Sequence, residues 1–344
     1  MVATVFKKQT STGTDRERIG IPARFMHTSP ENTHNTIRVI TLKIGIPKAF
    51  LYYRYHCLWE TFFRELGCEV VSSEDTTIDV LRTGAKRSID ENCVPMKIYL
   101  GHVQSLIGRC DALLVPRLEG TAPNEEFCVR FCGLYDVVSN TFPQLPLLSY
   151  NVQRKKPNSE RLGFLNMGRQ LGAGAEQSLR SYHRAKKAQL VQDMLREEEQ
   201  RGKLHDDRLK ILVAGQPYIS HDRLLGGPIS RMIQEQNGVV LYSDYCNKAL
   251  CIERSQELSK ELYWTMNKEM IGAIALHQHQ VDGIILLTAF PCGTDSLVNE
   301  LVLRRVRGLP LIQILLDEQQ AEAGLQTRIE SFMDILQERR RIHA

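Results

Sequence analysis

Short runs of apolar residues alternate with segments of helical spacing along most of the chain, and that alternation most restricts the fold. The clearest run lies in 281–288, which holds Ile284, Ile285, Leu286 and Leu287 in succession. A run that is apolar at every position suits a strand covered on both faces, the environment of a parallel sheet. Similar runs occupy 39–46, 69–71, 111–115, 145–149, 209–214, 238–242 and 310–316. Helical spacing is read at 50–66, 76–88, 95–107, 223–236, 257–277, 295–306 and 322–339. Gly67 stands where a helix ends in a left-handed residue, and Pro95 where a first turn has no N–H to lose. Strands alternating with helices predict parallel sheets wound on both faces.

A chain of 344 residues is too long for one ordinary core. The expected class is α/β, with two doubly wound Rossmann-like parallel-sheet domains joined by a helical segment. Residues 1–36 are rich in Thr, Ser, Arg, Asn and Pro without an apolar period, and are expected to be a disordered or loosely attached tail. Residues 37–150 form the first expected domain. Residues 151–207 are a linker and a helix, with Leu179, Tyr182, Val191, Met194 and Leu195 on one face. Residues 208–344 are the second domain with its final helix. The two sets of elements are alike in order, although no sequence repeat is visible.

The charge balance is nearly even, 44 basic against 40 acidic residues, with no basic block or aromatic-interleaved basic stripe. That pattern predicts no nucleic-acid partner. No apolar run spans a bilayer and no signal core opens the chain, so a cytoplasmic protein without a membrane partner is expected. In that compartment the nine cysteines are read as metal ligands, redox groups or packing residues rather than disulfides.

Ligands of open parallel sheets bind outside the carboxyl ends of the strands. Cys292 follows the 281–288 strand directly, Cys93 precedes the helix at Pro95, and Cys128 lies in the segment after the third strand. All three fall on that rim. Two stand at helix N-termini, where the dipole favours a thiolate. Thiolates are the usual ligands of iron–sulfur clusters. Plain burial is the competing reading, and a four-cysteine zinc site that adds Cys132 is another. Cys57 and Cys68 read as packing, Cys110 as structural on the opposite rim, and Cys246 and Cys251 as a C-x4-C pair more suited to packing than to redox or metal chemistry.

Other candidates carry weaker signals. His102 offers an imidazole past Cys93, either a catalytic donor or a packing residue. Asp317 and Glu318 pair carboxylates at a strand end, where Glu318 is the candidate general base and capping is the alternative. Arg117 and Arg328 offer partners for such carboxylates. The chain has no phosphate-cradling glycine motif and no H-E-x-x-H helix.

These residues carry a resemblance. Gly45-Ile46-Pro47-Lys48-Ala49-Phe50-Leu51-Tyr52-Tyr53-Arg54-Tyr55 resembles the opening of the family of 2-hydroxyacyl-CoA dehydratases and acyl-CoA dehydratase activase-related proteins, which includes the 2-hydroxyglutaryl-CoA dehydratase D-component. Asp90-Glu91-Asn92-Cys93-Val94-Pro95-Met96-Lys97 with Gly101-His102-Val103 is similar to its first cysteine motif. Pro116-Arg117 with Phe127-Cys128 is similar to the second, and Phe290-Pro291-Cys292-Gly293-Thr294-Asp295-Ser296-Leu297 to the third. Gly215-Gln216-Pro217-Tyr218, Leu262-Tyr263-Trp264 and Asp317-Glu318 with Glu322-Ala323-Gly324 resemble further family motifs. The likeness runs over 43–334. Val129 follows the second cysteine where the family commonly has Pro, and Gln319 stands where His is frequent.

The resemblance implies two Rossmann-like domains with a [4Fe–4S] cluster between them, held by Cys93, Cys128 and Cys292. It implies one iron with an open position, at which a substrate thioester takes up a single electron to form a ketyl radical anion. It implies an ATP-dependent activator, or another low-potential donor, as partner. A homodimer, or a heterodimer with a sister subunit, is expected. Cys132 is a possible fourth ligand. A cluster closed by it would suit an accessory electron-transfer protein, the alternative reading, beside a zinc-bound or metal-free two-domain binding protein.

Overall fold

The computed structural model describes residues 41–319 and 322–343; the tail expected at 1–36 lies outside them. The described residues contain two four-stranded sheets, all of whose pairs are parallel, and a two-stranded parallel ribbon. The first sheet is built from β1 (Lys43–Ile46), β2 (Glu69–Ser72), β3 (Ala112–Leu114) and β5 (Leu147–Leu148), in the order β2-β1-β3-β5. The second is built from β7 (Leu209–Gly215), β8 (Gly238–Tyr242), β9 (Gly283–Ala289) and β10 (Leu311–Leu316), in the order β10-β9-β7-β8. Counted by appearance, each sheet has its first strand between the second and the third, and the fourth beyond the third. The two sheets therefore share one topology, each with a switch point between its first and third strands.

The second sheet shows how its apolar runs are used. Ile211, Val213, Ile285 and Leu287 join one apolar cluster, while Leu212, Ala214, Ile284 and Leu286 join another. This period of two splits each run between the sheet's faces. Helices α8 (Gly226–Glu235) and α12 (Glu322–His343) cover the first face through Ile229, Ile233, Ile329 and Phe332. Helices α10 (Thr265–His277) and α11 (Gly293–Arg305) cover the second through Ile271, Ile274, Val298 and Val302.

In the first half, α1 (Tyr52–Glu65) buries Leu58, Trp59, Phe62 and Phe63, and ends as Gly67 takes a φ of 82°. Helices α2 (Ile78–Ala85) and α3 (Val94–Leu106) approach so closely that a Cβ at Gly101 would fall on the Val80 carbonyl, and one at Gly84 on the Lys97 carbonyl.

Three features depart from the periodicity. The segment 115–145, read without a helix, carries β4 (Arg117–Leu118) and α4 (Val129–Thr141), and β4 pairs with β6 (Asn151–Val152) inside the segment read as a linker. The expected helix 257–277 is a short 3-10 turn followed by α10, because Glu126 pairs with Trp264 as a parallel bridge and holds Trp264 extended just before the helix. Helices α5 (Ser159–Gln170) and α6 (Ala175–Leu204) run between the sheets, and α6 buries Ser178, Ser181, Tyr182, Ala185, Gln189 and Gln200. Val191, Met194 and Leu195, expected on its buried face, are exposed. The buried glutamines explain the choice. Gln189 Oε1 accepts from Leu58 N–H at 3.2 Å, and the Gln200 amide bonds both the N–H and the C=O of Tyr242 at 2.8 and 2.7 Å.

Between α8 and α10 lies α9 (Lys248–Arg254), whose N-cap Asn247 accepts from Leu250 N–H. A four-residue helix, α7 (Pro217–Ser220), follows β7. Among the described residues no helix is long and apolar enough to cross a membrane.

Candidate functional site

Each of the three rim cysteines is the N-cap of its own helix: Cys93 of α3, Cys128 of α4 and Cys292 of α11. None closes a side-chain capping hydrogen bond. Cysteine is outside the residues that usually cap helices, and the role goes to Ser, Thr, Asp or Asn when capping alone is required.

Backbone hydrogen bonds stitch the three turns together across the two halves. Val94 N–H, one residue after Cys93, donates to the Phe290 carbonyl at 2.9 Å, two residues before Cys292. Glu126, two residues before Cys128, donates to the Tyr263 carbonyl and accepts from Thr265 N–H, each at 2.9 Å. Helix α10 starts there and carries Asn267, whose amide donates to Asp295 Oδ1 at 2.8 Å, three residues after Cys292. The path joins the three cysteine turns in series, with the Asn267–Asp295 side-chain bond as one of its links.

An aromatic floor joins the two switch points. Phe50, in the turn after β1, meets Tyr218, in the turn after β7, edge to face at 5.3 Å. Phe131 of α4 and Tyr99 of α3 complete the cluster, 5.1 and 5.4 Å from Phe50. Burial pushes the Tyr218 hydroxyl well above the ordinary tyrosine value, and the charges that Asp295, Cys292, Cys128 and Cys93 carry when ionised add to the rise.

The three thiols are part-buried. Burial pushes Cys93 and Cys128 up from the ordinary thiol value and Cys292 up to about 12; the amides of Met96, Arg130 and Asp295, directed at the three sulfurs, pull back in part. As free groups they hold their protons at neutral pH, and binding a cation there releases protons. Among the described residues no three His, Cys, Asp or Glu side chains are grouped to hold a single metal ion. A cluster asks for a wider set, since each thiolate ligates a different iron. Soft sulfur donors at three converging helix N-termini fit an anionic iron–sulfur cluster in charge and in ligand type.

The other candidates lie as follows. Cys132 is exposed, one turn along α4 from Cys128. His102 is fully buried, nine residues beyond Cys93 on α3, about 13 Å along the axis. Its Nε2 meets Thr76 Oγ1 at 2.9 Å, and Thr76 in turn donates to Asp222, which also accepts from the Tyr53 hydroxyl at 3.1 Å. Burial lowers the His102 pKa to about 4. Glu318 accepts from Lys97 Nζ, which also reaches the Asp90 carbonyl at 3.0 Å, so the pair spans the halves beside the Cys93 turn. Arg117 pairs with Asp136 at 2.7 Å, and Arg328 donates to the Gln313 carbonyl. Asp317 accepts from Gln319 N–H in a tight turn. Cys246 and Cys251 flank the N-cap of α9 at the positions that usually staple a helix start, with Cys246 Sγ 3.2 Å from His277 Nε2.

Sequence reasoning gave no role to Lys97, Gln216, Tyr218, Asn267 or Asp295. Lys97, Gln216, Tyr218 and Asp295 lie inside the motifs that carry the resemblance, and that position was their signal. Asn267 had none.

No curated protein matches the chain. Similar solved structures include the SBP FpvC from Pseudomonas aeruginosa in complex with Mn2+, at 12% identity and a TM-score of 0.27, over 87% of this chain and 99% of that one. The same protein with a Ni2+ ion matches at 11% and 0.25, over 86% and 96%. Likeness at those scores bears on neither fold nor ligand. The family model of the 2-hydroxyglutaryl-CoA dehydratase D-component matches residues 175–336. The model described as CoA enzyme activase uncharacterised domain matches residues 43–246, and with more than half of its length so covered the chain belongs to that family, within the 2-hydroxyacyl-CoA dehydratase group.

Proposed function

We propose that the chain is a cluster-bearing subunit of the 2-hydroxyacyl-CoA dehydratase type, with Cys93, Cys128 and Cys292 as the protein ligands of one [4Fe–4S] cluster. The observation that carries the reading is the series of hydrogen bonds, three between backbone groups and one between Asn267 and Asp295, that links the turns of three N-cap cysteines from both halves. Bound there, the cluster would supply a one-electron centre with one iron free of protein thiolate, the open position that substrate activation needs. The chain's own part is to hold the three thiolates and to exclude water from below through Phe50, Phe131 and Tyr218. His102, held in its buried network, supports α3, and Glu318 with Lys97 fixes the turn before Cys93 against the second half.

The partner in this reading is an ATP-dependent activator or another low-potential donor, in a cytoplasmic setting, with a second copy or a sister subunit. The two family matches support an assembly of this kind. So do exposed apolar side chains near the cysteine-bearing turns: Ile89, Val129, Tyr263, Phe290 and Leu297. A second reading, an accessory electron-transfer protein with a closed cluster, draws on Cys132, one turn from Cys128 on α4. The domain limits 37–150 and 208–344 belong to the same proposal, with 151–207 between them.

Iron and acid-labile sulfide measured on protein purified without oxygen test the reading. About four of each per chain, with a spectrum that bleaches on reduction, is expected. No iron after reconstitution would end it.

A further inference from the structure

Helix α6 carries an apolar face that lies open to solvent. Leu190, Val191, Met194 and Leu195 are 46–60% exposed. The buried Ser181, Tyr182, Ala185 and Gln189 occupy the opposite side of the helix and turn this face outward. Single exposed apolar residues are ordinary, but four large ones grouped on one helix face mark a contact surface. Leu250 is exposed as well, on α9, which the Lys248–Asp193 ion pair at 2.6 Å ties to α6. The charges on the same face have an order. Arg180, Arg184 and Lys187, all exposed, precede the apolar group, and Glu197, Glu198 and Glu199 follow it. Lys187, Val191, Met194 and Glu198 lie along one line at spacings of four, three and four, the spacing of a helix–helix seam. Lys187 has no ion-pair partner among the described residues.

Deepening the second-copy partner of the reading above, we infer that two copies of the chain pair through this face of α6, antiparallel about a two-fold axis between Gln192 and Asp193. A two-fold contact uses the same patch on both copies, so the patch must complement itself. This one does so in one direction only. Antiparallel, Val191 meets Met194 of the second copy and Lys187 meets Glu198 of the second copy, each twice by symmetry. Leu190 and Leu195 flank the seam. In a parallel pair in register, Lys187 would face Lys187 and Glu198 would face Glu198, and like charges set against each other are costly. One helix face supplies less than the roughly 800 Å² per partner of a standard interface, so the dimer is expected to be weak and in exchange with monomer.

The test is sedimentation velocity on the full chain, purified without oxygen, from about 1 to 100 μM, with iron assayed on the same samples. A reversible monomer–dimer equilibrium is expected. Met194→Lys brings two ammonium groups into the apolar centre and should weaken the dimer about a hundredfold. Lys187→Glu sets carboxylates against Glu198 of the second copy and should weaken it about tenfold. Adding Glu198→Lys to that variant reverses both signs and should restore most of the affinity. The two positions are about 16 Å apart along one helix, so the rescue acts between copies. A wild-type chain that stays monomeric throughout overturns the inference. A dimer that Met194→Lys leaves intact also overturns it, because the copies then meet elsewhere. So does a Lys187→Glu variant of unchanged affinity, or one that Glu198→Lys fails to rescue. Should Met194→Lys not fold, the charge variants, confined to exposed positions, decide alone. Full iron on a monomer leaves the cluster reading standing, and a dimer without iron removes that reading but not the pairing of α6.

Discussion

The two sheets share a strand order but load the rim differently. In the second half Cys292 follows β9 almost directly, at the switch point of a sheet whose long strands are covered by helices on both faces. In the first half neither cysteine follows a strand of the main sheet. Cys93 sits between α2 and α3 within one crossover, and Cys128 sits beyond β4 within the next. The first sheet's strands are short, four residues at most, against seven in β7 and β9. A duplicated topology provides two rims, but in the first half the thiols are placed by helix packing and by hydrogen bonds from the second. In the proposed site the second half acts as the platform, and the first brings two of the three cysteines to it.

The largest expected effect tests whether that difference matters to iron. Cys93→Ser, Cys128→Ser and Cys292→Ser should each abolish cluster retention, since the three thiols share one site. Wild-type iron in all three variants would show that the halves do not share it. Cys132→Ser is the companion measurement. Unchanged iron is expected for the open site, and loss would favour the closed one.

A second pair of variants separates packing from placement. Gly101→Ala forces α3 off the Val80 carbonyl, and Gly238→Ala, at the amino end of β8, presses on Ile233 and Met333. Each should destabilise the fold by about 1–3 kcal/mol through overpacking, read from urea unfolding. Only Gly101→Ala displaces the helix that starts at Cys93, so its iron content should drop well below that of Gly238→Ala. Equal iron in the two would dissolve the contrast between the halves.

The smallest effect concerns the joint between the halves. His102 is held neutral by burial, with a folded pKa of about 4 against an ordinary 6.5. Lys48 adds to the lowering, and Asp75 opposes it. Because the folded value is depressed, its contribution is whole above pH 6.5 and is lost as pH falls toward 4, where the unfolded chain takes the proton first. Stability should fall by about 2 kcal/mol from pH 7 to pH 5 on this account. Replacing His102 by Asn should flatten that part of the urea-unfolding profile, and a wild-type slope in the variant would show that other groups cause it.

Much of the fold was legible because buried parallel strands and capped helices leave period and punctuation in the sequence. Strand β8 falls where its run predicts, and β7 and β10 within one residue. Helix α4 was missed for lack of a Ser, Thr, Asp or Asn cap, although Phe131, Leu134 and Val138 carried the helical spacing. The face of α6 was misread because its buried side holds serines and glutamines, whose burial is repaid by hydrogen bonds that no apolar count detects. The break before α10 was invisible because its cause, Glu126, lies far away in the chain.

The sequence by itself determined the parallel-sheet class, the family and the three cysteine motifs, because each is written in local pattern and residue type. Only the tertiary structure decided that Cys128 caps a helix as the other two do, that hydrogen bonds link the three turns, and that Tyr218 and Asp295 lie beside them. The backbone links among those turns join segments more than a hundred residues apart, and neither they nor the packing around them has a period along the chain.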